Sequence, residues 1–413
     1  MMDRWKMRAA AALPVALAAC GSAGADETAR PGVVIEVTSP AGPRSGEPHL
    51  AAGAAGRVYM SWLEQGADST HALRFAVLEN GRWSAPRTIA RGGDWFINWA
   101  DFPMLTPLPD GRLAAHWLQR SGDGKYAYDV RVAQSADGGA TWSQGVVPHR
   151  DGTASEHGFV SMWPAGDSLA VVWLDGRKYA ATADEHDPSN EMALVSTTVA
   201  RDGTLGAERT LDPRVCDCCQ TGAAMTARGP IVVYRDRSPD EIRDIYITRH
   251  VDGAWTEPKP VHADGWKMPA CPVNGPQVAA DGQRVAVAWY TAARDTAVQL
   301  AFSTDAGATF GAPVRIDAGR PAGRVDVELL ADGGALVSWI ERGDGERAEV
   351  RARRVSADGK AGDPVVVAES SAVRASGFPR MTRAGDAVYF AWTVPGDTST
   401  VRVARMALAA ERR

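Results

Sequence analysis

One short pattern recurs seven times along this 413-residue chain and leaves few folds open to it. Runs of apolar residues end in an aromatic: VYMSW at Trp62, LAAHW at Trp117, LAVVW at Trp173 and IVVY at Tyr234. VAVAW at Trp289, ALVSW at Trp339 and VYFAW at Trp392 complete the set. The spacing of about 55 residues is the size of a propeller blade. A turn such as Asp110-Gly111, Asp281-Gly282 or Asp332-Gly333 precedes several copies. A polar loop, a second alternating strand, another Gly turn and a last short strand follow. Such a unit is all-β and four-stranded. It cannot bury both faces alone, so the copies are expected to pack radially into a single β-propeller, which leaves no long free edge. No Pro/Ser-rich linkers separate them, as tandem small domains would need. Seven copies favour seven blades, with six as the alternative. The seventh copy runs out near Leu408 without its last strand, and Val33-Val34-Ile35-Glu36-Val37 has the pattern to supply it. The N-terminal strand is therefore expected to close the ring.

The chain has 45 basic and 50 acidic side chains, a net charge of −5. Sequence-independent nucleic-acid binding needs clustered Lys and Arg, and no such run exists here. The first residues read differently from the rest. Arg4, Lys6 and Arg8 precede an apolar run at 9–19 that is too short to span a bilayer, the layout of an export signal. Leu17-Ala18-Ala19-Cys20-Gly21-Ser22 resembles a bacterial lipoprotein box. The resemblance implies a signal peptide at 1–19, lipidation of Cys20, a flexible tether at 20–31 and a folded body at 32–413. The expected location is the cell envelope, periplasmic or outer-membrane-anchored, with membrane contact through the lipid only. The absence of Asp after Cys20 favours the outer membrane. A monomer is expected.

Two Gly turns are more specific. Ser135-Ala136-Asp137-Gly138-Gly139-Ala140-Thr141-Trp142 and Ser303-Thr304-Asp305-Ala306-Gly307-Ala308-Thr309-Phe310 both read S-x-D-x-G-x-T-[WF]. Weaker echoes stand at Asn80-Gly81-Arg82-Trp83-Ser84 and Asp252-Gly253-Ala254-Trp255-Thr256. In such a turn the Asp carboxylate accepts backbone N–H groups and the Gly takes a positive φ. These segments resemble the Asp box, or bacterial neuraminidase repeat, of sialidase-like propellers. That resemblance implies an exo-α-sialidase-type glycoside hydrolase acting on a carboxylated glycan. Such enzymes use a Tyr nucleophile helped by a Glu, an Asp acid/base and three Arg residues that grip the substrate carboxylate. Where these propellers carry Arg-Ile-Pro in the first blade, this chain has Glu47-Pro48-His49-Leu50.

Topology says where chemistry belongs. The first-to-second and third-to-fourth turns of every blade lie at one end. The second-to-third loops and the connections between blades lie at the other, and these carry the charged and aromatic segments. Function on a rigid scaffold usually sits on such loops. Under the hydrolase reading, Tyr234 or Tyr290 is the nucleophile candidate, because a free phenol needs a neighbouring carboxylate to attack near neutral pH. Glu64, Glu156 or Glu341 is the activator and Asp101, Asp175 or Asp236 the acid/base. Arg120, Arg177, Arg235, Arg237 and Arg324 are candidate grips for a glycan or small anionic ligand. Trp95 and Trp99 offer stacking surfaces, and His157 and Asn274 polar contacts.

Apart from Cys20, the cysteines are Cys216, Cys218, Cys219 and Cys271. They fall in two neighbouring blade connections, before equivalent strands, and should be spatial neighbours. An even count in an exported chain points to disulfides. Converging soft sulphurs also suit Cu(I) or Zn(II), although the run, read as C-x-C-C, lacks the C-x2-C of zinc knuckles. No other cofactor is expected. The alternative function is thus a non-catalytic binding or assembly propeller with a disulfide or metal-binding cysteine cluster.

Overall fold

The computed structural model describes residues 31–179 and 191–409. The expected signal peptide at 1–19 and Cys20 lie outside the described residues. Seven sheets form a ring, a seven-bladed β-propeller. Blade 1 contains Ser45–Ala52, Val58–Gln65, His71–Glu79 and an outer strand split into Arg82–Trp83 and Arg87–Gly92. Blade 2 has Leu105–Pro107, Leu113–Arg120 and Tyr128–Ser135, its fourth position reduced to a bridge between Val132 and Val146. Blade 3 runs His157–Ala165, Ser168–Asp175, Met192–Val199 and Arg209–Val215. Blade 4 has Gly222–Thr226, Gly229–Arg235, Ile245–Val251 and the short Ala254–Trp255 and Lys259–Pro260. Blade 5 comprises Gln277–Asp281, Arg284–Thr291, Ala297–Ser303 and Val314–Arg315. Blade 6 comprises Pro321–Leu329, Ala335–Arg342, Arg347–Val355 and Val365–Ser371. Blade 7 holds Arg380–Ala384, Ala387–Val394 and Thr400–Ala407, and Val34–Val37 is its outer strand, with Val34 opposite Met406 and Val37 opposite Val403. The ring is closed as the N-terminal pattern predicts.

The recurring aromatic strand is the second strand of each blade, apolar on both faces because another blade lies on either side. Each neighbouring pair of blades shares one apolar cluster, for example blades 2 and 3 through Leu118, Val130, Val171 and Trp173. Trp62, Trp173, Trp289 and Trp339 are among the largest fully buried side chains. A buried indole N–H needs an acceptor, and the carboxylate two residues on supplies it in three blades. Trp62 donates to Glu64 at 3.3 Å, Trp173 to Asp175 at 2.8 Å and Trp339 to Glu341 at 2.6 Å.

The two S-x-D-x-G-x-T segments fold into the same turn. The Thr141 amide donates to Asp137 at 2.9 Å and the Thr309 amide to Asp305 at 2.8 Å. Gly139 has φ 85°, and a Cβ there would collide with the Phe75 ring of blade 1. Both described ends of the chain lie on this short-turn face: the Gly32 amide donates to the Ala407 carbonyl and the Leu408 amide to that of Asp386.

The first strands surround an axial cavity of about 230 Å³, lined among others by His49, Asp101, Gln220, Gln277, Glu328 and Arg380. Arg380 pairs with Asp326 at 3.2 Å. Burial and the nearby Asp326 charge push the Glu328 carboxyl from 4.5 to about 8. Within that window the folded state keeps a proton that the unfolded chain has released, so stability falls as pH rises. Glu328→Gln is expected to flatten this slope and to raise stability above pH 8 by on the order of 2–4 kcal/mol. Urea midpoints measured across the window check it, and an unchanged slope refutes it.

Candidate functional site

The cysteine-bearing connections meet on the loop-rich face. The first leaves Arg209–Val215 of blade 3 and enters Gly222–Thr226 of blade 4; the second leads from blade 4 into Gln277–Asp281 of blade 5. They are laced together closely. The Gly275 amide donates to Gln220 Oε1 at 2.9 Å, and any Cβ on Gly275 would strike the Gln220 backbone. This brings the four sulphurs into one cluster. Cys216, Cys218 and Cys219 place their Sγ atoms within 4.8 Å of one another, with Cys216 and Cys219 3.4 Å apart. Cys218 also meets Cys271 thiol to thiol. All four are free thiols; Cys216 and Cys219 are buried, Cys218 half-buried and Cys271 exposed. The cluster is therefore closed at its base and open at its mouth. Cys216 and Cys219 also stand in C-x2-C spacing, which the intervening Cys218 hides from a reading of the run as C-x-C-C.

Charge around the cluster is ordered. Arg243 donates to Cys216 Sγ at 3.2 Å and is itself held by Glu241 at 2.8 Å. Burial opposes a Cys216 thiolate, but hydrogen bonds from Cys218 and Cys219 and the charges of Arg243 and Arg235 bring its pKa well below the usual thiol range. Burial and those same thiol contacts push Cys218 up. Asp217 pairs with Arg237 at 3.3 Å, yet burial and the Cys216 charge raise its carboxyl to about 6.

A second polar group adjoins the first. The Tyr128 hydroxyl lies 2.8 Å from Asp101 and 2.9 Å from Glu156, and its ring stacks on Phe96 at 4.0 Å. Burial pushes Asp101 up to about 7. Burial, with the charges of Asp101, Asp217 and Cys271, pushes Glu156 well up. The single phenol proton is shared between two carboxylates that burial makes reluctant to ionise. Tyr128 is fully buried.

The other residues singled out by sequence are dispersed around the ring. Tyr234 is fully buried and donates to Asp212 at 2.6 Å. Tyr290 stands edge-on to Trp266 at 5.7 Å. Glu64, Asp175 and Glu341 receive the indole N–H groups of their own strands, and Glu341 also caps the Ala318 and Arg320 amides at 3.1 and 2.6 Å. Asp236 is buried, its carboxyl raised to about 7 by burial and by Asp212. Trp95 is buried against Trp117 at 5.7 Å. Trp99 stacks on Phe378 at 5.8 Å and carries Arg324 at 4.8 Å. His157 is buried and stacks on His149 at 3.7 Å.

Four of the five arginines already serve the protein itself. Arg177 binds Asp175 and Glu208 at 2.6 and 3.1 Å. Arg237 binds Glu241 at 2.9 Å. Arg324 donates to Ser376 Oγ at 2.7 Å and to the Gly377 carbonyl at 3.0 Å. Arg235 donates to the carbonyls of Arg243, Asn274 and Tyr290 at 2.5, 2.7 and 2.7 Å. Asn274 in turn accepts the Arg324 amide at 2.8 Å. Arg120 lies over the Phe96 ring at 5.6 Å. Sequence reasoning missed Tyr128 and Arg243. Tyr128 opens a third strand rather than ending a second. Arg243 lies in the charged segment after Arg235, but nothing in the sequence pairs it with a sulphur.

No protein-family model matches the chain, and no curated protein matches it. Among solved structures, a protein of unknown function from Dyadobacter fermentans matches over 92% of this chain and 100% of its own, with 14% identity and a TM-score of 0.52. A variant of NanB sialidase from Streptococcus pneumoniae matches over 85% of this chain and 83% of its own, at 10% identity and a TM-score of 0.47. Trypanosoma rangeli sialidase in complex with sialic acid matches over 86% and 60%, at 14% identity and a TM-score of 0.49. At such identities the likeness is one of fold: this chain is a seven-bladed propeller whose structural neighbours include sialidases.

Proposed function

We propose that this propeller binds a soft metal ion, Cu(I) or Zn(II), at the thiol cluster of its loop-rich face. The observation that carries this reading is the convergence of four free thiols from two blade connections on one spot, three of them with sulphurs within 4.8 Å of one another. Sulphur ligands at about 2.3 Å from a tetrahedral ion stand about 3.8 Å apart, close to the spacing seen here. Arg243 favours the Cys216 thiolate before an ion arrives, and the thiolate is the ligating form. The exposed Cys271 gives the ion a way in and out. The reading includes an exported monomer of the cell envelope, held to the membrane through a lipid on Cys20.

The test is anaerobic titration of the mature, reduced chain with Cu(I) or Zn(II) against a chromophoric chelator. One thiolate-bound equivalent is expected, lost in the Cys216→Ser/Cys219→Ser double variant. A chain that takes up neither ion on its thiols, or whose four cysteines are joined as two disulfides when isolated unreduced, overturns the reading.

One observation favours a second reading, exo-sialidase-type hydrolysis of a carboxylated glycan: the Tyr128 hydroxyl within reach of Glu156 and Asp101. The burial of Tyr128 and the engagement of four of the five candidate arginines weigh against it. Turnover of a fluorogenic sialoside that disappears in Tyr128→Phe would establish it.

A further inference from the structure

We propose a further activity for the four thiols: exchange with a small external disulfide, in which Cys218 and Cys271 react at the surface and Cys216 and Cys219 hold electrons behind them. The activity uses the sulphurs of the ion site and needs no ion. Burial runs in that order, with Cys216 and Cys219 buried, Cys218 half-buried and Cys271 exposed. Four cysteines allow three pairings, and the structure separates them. Cys216, Cys218 and Cys219 keep their sulphurs within 4.8 Å of one another, and Cys271 is not part of that group. Its thiol contact is with Cys218. Adjacent residues such as Cys218 and Cys219 have Cα atoms about 3.8 Å apart, short of the roughly 4.4–6.8 Å that a disulfide spans. The pairs are therefore Cys218 with Cys271, and Cys216 with Cys219, whose Sγ atoms are 3.4 Å apart.

The backbone sets both pairs in place. Each cysteine-bearing connection is pinned to the segment that follows Gly229–Arg235. The Cys216 amide donates to the Arg235 carbonyl at 3.0 Å, and the Met268 amide to that of Glu241 at 2.8 Å. Ile242 and Lys267 face each other in an antiparallel bridge. A tight turn at Asp217 and Cys218 brings Cys219 back toward Cys216. Reacting groups held in place in this way have already met the entropy cost of encounter. Arg243 donates to Cys216 Sγ at 3.2 Å, so negative charge on the inner sulphur has a partner.

Exchange runs through mixed disulfides. The exposed Cys271, as thiolate, attacks R–S–S–R, bonds to one sulphur and expels the first R–S⁻. Cys218 then attacks the Cys271 sulphur and expels the second. Each R–S⁻ takes up one of the two protons that the thiols release, so a dithiol and R–S–S–R become one protein disulfide and two R–SH. Cys216 next attacks the Cys218 sulphur, within 4.8 Å of it, and frees Cys271. Cys219 attacks Cys216 in turn and frees Cys218. The inner pair is now oxidised and the outer pair restored, ready for a second R–S–S–R. Four thiols thus reduce two external disulfides.

The test treats the full mature chain, reduced and metal-free, with excess 2-hydroxyethyl disulfide, quenches it with acid at intervals, counts thiols and maps the bonds by mass spectrometry. Loss of the thiols of all four residues is expected, with final bonds Cys216–Cys219 and Cys218–Cys271. Cys271→Ser removes only an exposed sulphur and should slow oxidation of the inner pair by on the order of 100-fold, because burial keeps the reagent out. Cys219→Ser should stop at one disulfide, Cys218–Cys271. Different final bonds, an inner pair that oxidises as fast in Cys271→Ser as in the wild type, or a chain that keeps its four thiols would overturn the proposal. None of these results touches ion uptake by the reduced chain, on which the metal reading stands. A chain that exchanges as described but takes up no ion supports the proposal and removes the metal reading alone.

Discussion

Replacing Arg235 by alanine is expected to lower the stability of the propeller by about 3–5 kcal/mol, a large share of the 5–15 kcal/mol typical of a folded domain. The guanidinium is 2% exposed. It donates to backbone carbonyls of three separate segments, at Arg243, Asn274 and Tyr290. Its flat face lies over the Trp266 ring at 4.8 Å. Removing it orphans three buried acceptors at once and leaves a void beside the indole. Arg235→Lys should recover little, since one ammonium cannot reproduce a planar fork. Denaturant midpoints of the three proteins decide the matter. A wild-type midpoint for Arg235→Ala would mean that the side chain waits for a ligand instead of bracing the loops.

Removing the closing strand should be nearly as damaging. Without Val34–Val37, the strand Thr400–Ala407 loses its antiparallel partner along four residue pairs. Val34 and Val37 also leave the clusters that join blade 7 to blades 6 and 1. Ladder bonds at about 1 kcal/mol each and apolar burial at about 25 cal/mol per Å² together amount to several kcal/mol. The exposed edge would also template pairing between molecules. A chain that starts after Val37 is therefore expected to melt far below one that starts at Pro31 and to aggregate on concentration. Calorimetry and light scattering on the two would show it; equal melting would mean that the first six blades and a three-stranded seventh suffice.

The ring was readable because its signal is the same physics repeated seven times. A second strand squeezed between two blades must be apolar on both faces, and its terminal indole needs a place to hide. Glu64, Asp175 and Glu341 belong to that same pattern as acceptors two residues beyond the indole, a regularity visible as W-x-[DE] once the donor is considered. The site was harder to read. Alternation assigns a residue to a face of a strand, but not to a partner contributed by another blade. Tyr128, Glu156 and Asp101 come from three stretches of chain, and nothing local pairs them. Arg235 looked like a ligand grip because its charge follows a buried strand. The connection through Asn274 and the segments at Arg243 and Tyr290 each bring one carbonyl that needs a donor, and no composition rule announces that. The cysteines were the exception, because two connections preceding equivalent strands of adjacent blades have to lie side by side.

The position of the closing strand also sets the side from which the chain enters the ring. Val34 pairs near the end of Thr400–Ala407, so the polypeptide enters the ring from the side of the short turns. Eleven residues separate Cys20 from Gly32, and a stretch of that length reaches at most about 40 Å. An acyl group on Cys20 would hold the short-turn side toward the bilayer and turn the thiol mouth outward, where a soluble donor or acceptor of the ion could approach without competing with lipid headgroups.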